Sequence, residues 1–423
     1  MTQFSQSGSR NSRVIGLVDI GSSKIVCLIV NMDTRNTRGG VDMRVIGVGH
    51  RRSQGLKAGV VTDLDQAEDA IRGCVDQAEQ MAGVTLEDVV ISVSCGRLKS
   101  LNFAATADVA NGQVSNSDIG RILAKGRAYA EKDGRTLVHL NRVGYRLDGV
   151  RSADDPRGMA GRRLTADLHA ITADESPVRN LLSVVERCYL RVSGLVVSPY
   201  ASGLAISTEE DRRLGLTCID IGGGTTSIAV FAEGSLVFAD AMALGSDHIT
   251  YDIARELQTP LAEAERIKAL YGTLLYARSD EYELFSYPLA GEDEGVCNQV
   301  SKAQLTQIMR PRVQSMLSLL NERLDRSGIR DYATRHIAFT GGGSQLVGLS
   351  AFAGDAFGGD VRIGMPHRVS GLPDRIAGPA FSSVIGMLDA SAAAGDELVT
   401  YRDRDALSSG YLGRVGQWLM EGL

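Results

Sequence analysis

The 423-residue sequence has no CxxC pair among its six cysteines, no run of about 18 apolar residues and no block of Lys and Arg, and it holds one tryptophan. Each scarcity removes a class of protein. Cys27, Cys74, Cys95, Cys188, Cys218 and Cys297 sit mostly inside apolar runs, so they read as buried thiols in a reducing compartment, not as a disulfide frame or a zinc site. Without a long apolar run, no helix is expected to cross a bilayer. With no basic block and a formal net charge of −6, nucleic acid is not an expected partner. The Walker A, GxSxG and HExxH patterns are missing too, which leaves other phosphate-binding and hydrolytic templates unsupported. Residues 1–12 are rich in Ser, Gln, Asn and Gly around no apolar core, and read as a disordered tail rather than a signal peptide. The body is expected in the cytoplasm.

What is present is a packed chain, 43% hydrophobic and long enough for roughly three domain-sized units. Its most informative feature is a pair of similar turns, Asp19-Ile20-Gly21-Ser22-Ser23-Lys24 and Asp220-Ile221-Gly222-Gly223-Gly224-Thr225-Thr226, each flanked by apolar β-type runs. That pattern predicts two hairpins, each with an acid near its tip. Glycine and small hydroxyl residues let backbone N–H groups approach phosphate oxygens. The leading Asp would repel phosphate unless a divalent cation or its water lies between. A lone Asp-Gly hairpin is an ordinary turn, but two near-copies in separate halves suggest two clasps on one ligand.

Between and around them, apolar spacing predicts a helix from Asp63 to Ala82 capped by Asp63 or Thr62, a strand from Asp88 to Ser94, and a helix from Pro177 to Tyr189. From Cys95 to about Thr172 the texture changes to short strands and one helix near Asp118 to Glu131, as in an inserted small domain. The second half adds helices from Asp247 to Leu257 and from Leu261 to Tyr271. An acidic, irregular stretch from Ser279 to Gly295 follows, then a long helix from Lys302 to Arg326 with a possible kink at Pro311. A third turn, Thr340-Gly341-Gly342-Gly343-Ser344, lies between a strand and a helix, where missing side chains allow flat contact with a ribose or base. Glu265 and Lys268 stand one turn apart on a shared helix face. The commoner fate of such a pair is a solvated ion pair.

The order Asp-hairpin, Asp-hairpin, Gly-triplet resembles the actin-like ATPase superfamily. The segment Asp155-Pro156-Arg157-Gly158-Met159-Ala160-Gly161-Arg162-Arg163-Leu164, followed by Asp167 to Thr172, resembles the signature of the small domain peculiar to the FtsA family of bacterial cell-division proteins. The resemblance covers about Val14 to Leu423. It implies an α/β, actin-like (ribonuclease H-like) two-lobed ATPase fold with an inserted α+β subdomain, 1C, and a C-terminal amphipathic helix. Domain 1A would comprise residues 13–94, 179–214 and 375–390, 1C residues 95–178, 2A residues 215–245 and 305–374, and 2B residues 246–304. A flexible linker would span 391–409 and a membrane-targeting helix 410–423. It implies ATP and Mg²⁺, with Asp19 and Asp220 holding the cation through water and Gly21, Ser22, Ser23, Lys24, Gly222, Gly223, Gly224, Thr225 and Thr226 cradling phosphates. Glu265 and Lys268 would contact ribose and adenine, and Gly341, Gly342 and Gly343 would back the adenosine. The implied partners are further copies of the chain in a filament, the FtsZ C-terminal peptide near Lys302, later divisome proteins through 1C, and membrane lipids. Nucleic acid is not among them. The implied place is the cytoplasmic face of the cell membrane at the division site.

The C-terminal segment adds physics of its own. On a helix, Tyr411, Leu412, Val415, Trp418, Leu419, Met420 and Leu423 fill one arc and Arg414, Gln417 and Glu421 another. This reads as an interfacial helix that folds on lipid; docking in a groove of the same protein or of a partner is the rival reading. One short anchor binds weakly, so stable attachment requires many tails held together. A kinase or active ATPase of the superfamily is the rival function. Chaperone relatives place an acid before the Pro that follows the strand at Leu195 to Ser198; here that residue is Ser198, so no general base is evident there and turnover, if any, is expected to be slow. A soluble nucleotide-dependent scaffold is the other alternative.

Overall fold

The computed structural model describes residues 12–33, 42–132, 134–151, 155–291, 297–329, 336–392 and 399–400. The expected tail up to residue 11, most of the expected linker, and the membrane-helix residues Tyr411, Leu412, Val415, Trp418, Leu419 and Leu423 lie outside the described residues.

Strands β1 (Ser12–Ile20) and β2 (Lys24–Asp33) form the first expected hairpin, and β3 (Asp42–Arg52) continues the meander. Residues 25–30 of β2 are all buried, so the strand is covered on both faces and reads as an unbroken apolar run. A short ladder, β4 (Leu56–Lys57) with β5 (Val60–Val61), leads to α1 (Leu64–Ala82). Asp63 caps that helix as its sequence foretold, its carboxylate accepting from the N–H groups of Asp65 and Gln66 at 3.1 and 3.0 Å. The apolar stripe Ala67, Ile71, Cys74, Val75 and Ala78 lies buried. Strand β6 (Asp88–Val93) then pairs parallel to β1.

The insertion comprises β7 (Lys99–Asp108), α2 (Asn116–Ala130), β8 (Arg135–Leu147), β9 (Val150–Arg151) and β10 (Arg163–Asp174), in a sheet of order β7-β10-β8-β9. It buries a core of its own, with Ile119, Ile122, Leu137, Leu140, Leu164 and Leu168. The chain returns through α3 (Glu175–Arg187), β11 (Arg191–Val197), α4 (Ser198–Ala205) and α5 (Glu209–Leu214).

The second lobe follows: β12 (Leu216–Ile221), β13 (Thr226–Ala232), β14 (Ser235–Met242), α6 (Asp247–Leu257), α7 (Leu261–Tyr271), β15 (Leu284–Pro288), β16 (Cys297–Ser301), α8 (Lys302–Ser327), β17 (His336–Thr340), α9 (Leu349–Phe357) and β18 (Asp360–Ile363). Finally α10 (Ser382–Ala392) and β19 (Val399–Thr400) rejoin the first lobe.

The two lobes repeat one plan. In the first, the strands run β3-β2-β1-β6-β11; in the second, β14-β13-β12-β17-β18. In both, three antiparallel meander strands are followed by two parallel ones. One apolar cluster surrounds the first sheet and takes in one face of the second, with Cys218, Ala229, Phe231 and Ala338; another fills the other face of the second sheet, with Ile219, Ile228 and Phe339.

Two local expectations change. The acidic stretch expected to be irregular contains β15, paired antiparallel with β16. Its alternation buries Phe285 and Tyr287 while Leu284, Ser286 and Pro288 face out, a period-2 pattern that the surrounding charges obscured. The expected linker begins inside α10 at residues 391–392 and contributes Val399 and Thr400 to the edge of the first sheet, opposite Leu195 and Gly194. Helix α8 runs on through Pro311 without a break.

Candidate functional site

The two hairpin tips close in the same way. Gly21 N–H donates to Lys24 O at 3.0 Å, and Gly222 N–H donates to Thr225 O at 2.8 Å. Asp19 pairs with Val26 and Asp220 with Ser227, so each acid stands at the same rung below its turn. The tips come from opposite lobes and meet. A Cβ placed on Gly223 would fall 2.9 Å from Ser23 Cβ, and one on Gly224 would fall 2.7 Å from Ser22 Oγ. Ser22 Oγ accepts in turn from Gly59 N–H at 2.9 Å.

Hydroxyl groups hold both acids. Asp19 Oδ1 accepts from Ser92 at 2.6 Å and from Ser383 at 3.0 Å; Asp220 Oδ2 accepts from Ser202 at 2.5 Å. Burial pushes the Asp220 carboxyl up to about 6, the Asp19 charge adds to this, and the Ser202 hydrogen bond and Lys24 oppose it. Burial also lowers the Lys24 ammonium, against the pull of both acids. Two carboxylates facing one lysine leave a net negative pocket with oxygen donors, which suits a hard divalent cation or its waters. Neighbouring backbone N–H groups suit anionic oxygens.

The third turn closes the far side. Gly341 has φ +83°, and a Cβ there would stand 2.2 Å from Asp220 Oδ1 and 2.5 Å from Ile221 O, so only glycine fits. Its N–H donates to Pro379 O at 3.1 Å. Glu265 and Lys268 do share a face, as a 2.6 Å ion pair with Thr250 between them: Lys268 Nζ donates to Thr250 Oγ1 at 2.7 Å, and Thr250 donates to Glu265 Oε2 at 2.6 Å. Lys268 also reaches Ser246 O at 3.2 Å, at the start of α6, where Ser246 and Asp247 N–H groups bind the carbonyls of Gly222 and Gly223.

These parts enclose a cavity of about 420 Å³ between the lobes. Asp19, Gly21, Ser22, Ser23, Lys24, Asp220, Gly222, Gly223, Thr225, Glu265, Lys268, Gly341, Gly342 and Gly343 all line it. Gly224 and Thr226 do not: Gly224 is turned against Ser22, and Thr226, fully buried in the sheet, donates to Leu244 O at 2.7 Å. Lys302 lies elsewhere, beside Glu283 at 3.1 Å and Asp280 at 3.5 Å. Sequence reasoning missed the lining residues Ser94, Ser227, Ser246, Asp247 and Ser383, and behind them Ser92, Ser202 and Thr250. Asp247 had a signal, an acid in the first turn of a helix; an isolated serine has none. Ser198 lines the cavity, and no acid of α4 does.

A duplicated sheet with paired hairpins across a cleft defines an actin-like ATPase fold. The type IV pilus PilM–PilN complex structure shares it, with a TM-score of 0.62 at 18% identity over 89% of this chain and 98% of that one. So does the ADP-bound MreB5 of Spiroplasma citri, at 0.50 and 13% identity, over 89% and 95%. Residues 217–386 match the family model described as cell division protein FtsA, and residues 95–172 match the SHS2 domain inserted in FtsA. The cell division protein FtsA of Rhizobium meliloti (strain 1021) is 40% identical over 98% of this chain and 96% of its own length. The chain belongs to the FtsA family of cell-division proteins.

Proposed function

We propose that this protein binds ATP with Mg²⁺ in the interlobe cavity, assembles with copies of itself in an actin-like manner, and tethers the FtsZ ring to the cytoplasmic face of the membrane. The observation that carries the nucleotide reading is the meeting of two equivalent Asp hairpins from opposite lobes over one cavity that a glycine turn completes. Asp19 and Asp220 would hold Mg²⁺ through its waters, the Gly21 to Lys24 and Gly222 to Thr225 turns would hold phosphates, and Glu265 with Lys268 would meet the ribose. When bound, Mg²⁺ supplies charge neutralisation between the acids and the phosphates. The absence of an acid at Ser198 favours slow turnover, so the ligand governs assembly more than chemistry.

The membrane role rests on the apolar arc from Tyr411 to Leu423. Domain 1C, residues 95–178, would be the surface for later division proteins. The FtsZ peptide would lie on 2B near Lys302, close to the start of α8.

The deciding experiment is co-sedimentation of the intact chain with lipid vesicles, beside a chain ending at Ser409. The intact chain should pellet and the shortened one should stay in solution. Equal pelleting would reject the membrane anchor and favour a soluble nucleotide-dependent scaffold.

A further inference from the structure

The inserted domain is joined to the first lobe by the chain, through β6 and α3, and by Val138, Ile171 and Ala173 buried in its core, and it also grips the second lobe by side chains. Ser100 Oγ donates to Ala239 O at 2.8 Å and accepts from Ala239 N–H at 2.8 Å. Asn102 donates to Val237 O at 3.2 Å, and Asn141 donates to Leu236 O at 3.1 Å. All three carbonyls belong to β14, the outermost strand of the second sheet. An edge strand normally presents unpaired backbone groups; here side chains of another domain occupy them.

The grip is imperfectly satisfied. His169, fully buried, lies 3.1 Å from Asn141 Oδ1 and 3.0 Å from Ser100 Oγ. Burial lowers it to about 3, so the ring is neutral and has one N–H. If that proton serves Asn141, the Ser100 proton must choose between His169 and Ala239 O; one acceptor goes short. His139, on the same face of the insert, is also buried, and among the described residues its Nε2 has no hydrogen-bond partner. A polar grip that leaves one acceptor short holds less firmly than a fully paired one.

One short helix joins the grip to the cavity. Along α4, Ser198 lines the cavity, Tyr200 lies 4.7 Å from the His139 ring at a 45° tilt and stacks 6.1 Å from Phe231, and Ser202 holds Asp220. We infer that docking of the inserted domain on β14 is coupled to occupancy of the cavity, a step that rests on the nucleotide reading above. The hairpin tips touch in the same arrangement in which the grip is formed, so a ligand held by both hairpins favours the lobe spacing that docking requires. Linkage then runs both ways: Mg²⁺-ATP tightens the grip, and the grip raises the affinity for Mg²⁺-ATP. The nucleotide thereby decides whether the covered face of the insert, with Ser100 and Asn141, is free for another partner.

The test uses the full chain. Ala239 N–H is held by Ser100 from the insert, so its hydrogen exchange reports docking. Saturating Mg²⁺-ATP should slow that exchange by about fivefold or more, and S100A/N102A should bind Mg²⁺-ATP about tenfold more weakly, within the usual range of coupling between sites. Amides of the β8–β10 ladder should stay protected in the variant, which shows that the insert remains folded. If the double variant does not fold, Asn102→Ala alone, at an exposed position, carries the same comparison. Binding by the intact chain with unchanged Ala239 exchange and equal variant affinity would overturn the coupling alone. No binding by the intact chain would overturn the nucleotide reading and the coupling with it.

Discussion

Ser383, in the first turn of α10, donates a 3.0 Å hydrogen bond to Asp19 Oδ1, although 364 positions separate the two residues. Ser92 donates to the same oxygen at 2.6 Å. Among the described residues, Oδ2 carries no hydrogen bond and is left for the cavity. Ser383→Ala should remove one oriented contact without emptying the core, weakening Mg²⁺-ATP binding by about 1 kcal/mol, or roughly fivefold. Titration calorimetry on both chains measures this; equal affinities would show that Ser383 does not orient Asp19.

The raised carboxyl of Asp220 makes stability depend on pH. Its ordinary value is 3.8 and its folded value is about 6, so between those values the folded state binds the extra proton. The acid therefore destabilises the empty protein above about pH 6, and that cost is relieved as pH falls through 6 towards 3.8. From pH 7 to pH 5 the gain is about 1 kcal/mol. Urea unfolding at both values should show that Asp220→Asn gains less than the parent over this interval. Mg²⁺ competes with the same proton, so its binding should weaken below pH 6.

Gly341→Ala forces a Cβ against Asp220 Oδ1 at 2.2 Å in a left-handed conformation. A loss of about 1–3 kcal/mol in stability is expected, with loss of nucleotide binding. Gly342→Ala is the control, because its nearest neighbour would be Ala380 Cβ at 3.8 Å. Thermal unfolding of the pair should separate them; equal effects would mean that the backbone at Gly341 adapts.

Arg312 on α8 binds Asp252 on α6 through two nitrogens, at 2.6 and 3.0 Å. Asp252 is buried and Arg312 partly exposed. Arg312→Ala leaves a buried carboxylate whose remaining ion-pair partner among the described residues is the exposed Arg255, at 3.4 Å, and should cost about 2–4 kcal/mol. Denaturant midpoints check this, and a change below 0.5 kcal/mol, about the size of a surface pair, would show that Arg255 compensates.

Lys302→Glu should weaken binding of the FtsZ C-terminal peptide at least tenfold, because it places a third acid beside Asp280 and Glu283 where an acidic peptide is expected. Fluorescence anisotropy with a labelled peptide reads the affinity. An unchanged value removes Lys302 from that surface.

Much of the site was readable because it depends on local chain chemistry. The Asp63 cap, the hairpins at Gly21 and Gly222, and helices α6 and α7 follow from neighbouring residues, and the structure places them where the spacing does. Strand β18 was missed: four residues with alternating partial burial give almost no periodic signal. The serines that hold Asp19 and Asp220 were invisible for another reason. Ser92, Ser202 and Ser383 act only because three distant strands and helices converge, and no spacing along the chain encodes that. Thr226 shows the converse: it reads as part of the turn, but it is the first residue of β13, and its buried hydroxyl donates to Leu244 O beyond the end of β14 instead of reaching the cavity.

The order in which the lobes can be finished follows from the strand plan. All five strands of the second sheet lie between Leu216 and Ile363, whereas the first lobe gathers strands that begin at Ser12 and still awaits α10. On a ribosome, the second lobe has all its strands in hand while the first hairpin, made earliest, still lacks Ser383. Shortening the chain from its C-terminal side past that serine would therefore strip β19 from β11 and Val384, Ile385, Met387 and Leu388 from the core, and would finally leave the earliest-made turn without one of the hydroxyls that orient Asp19.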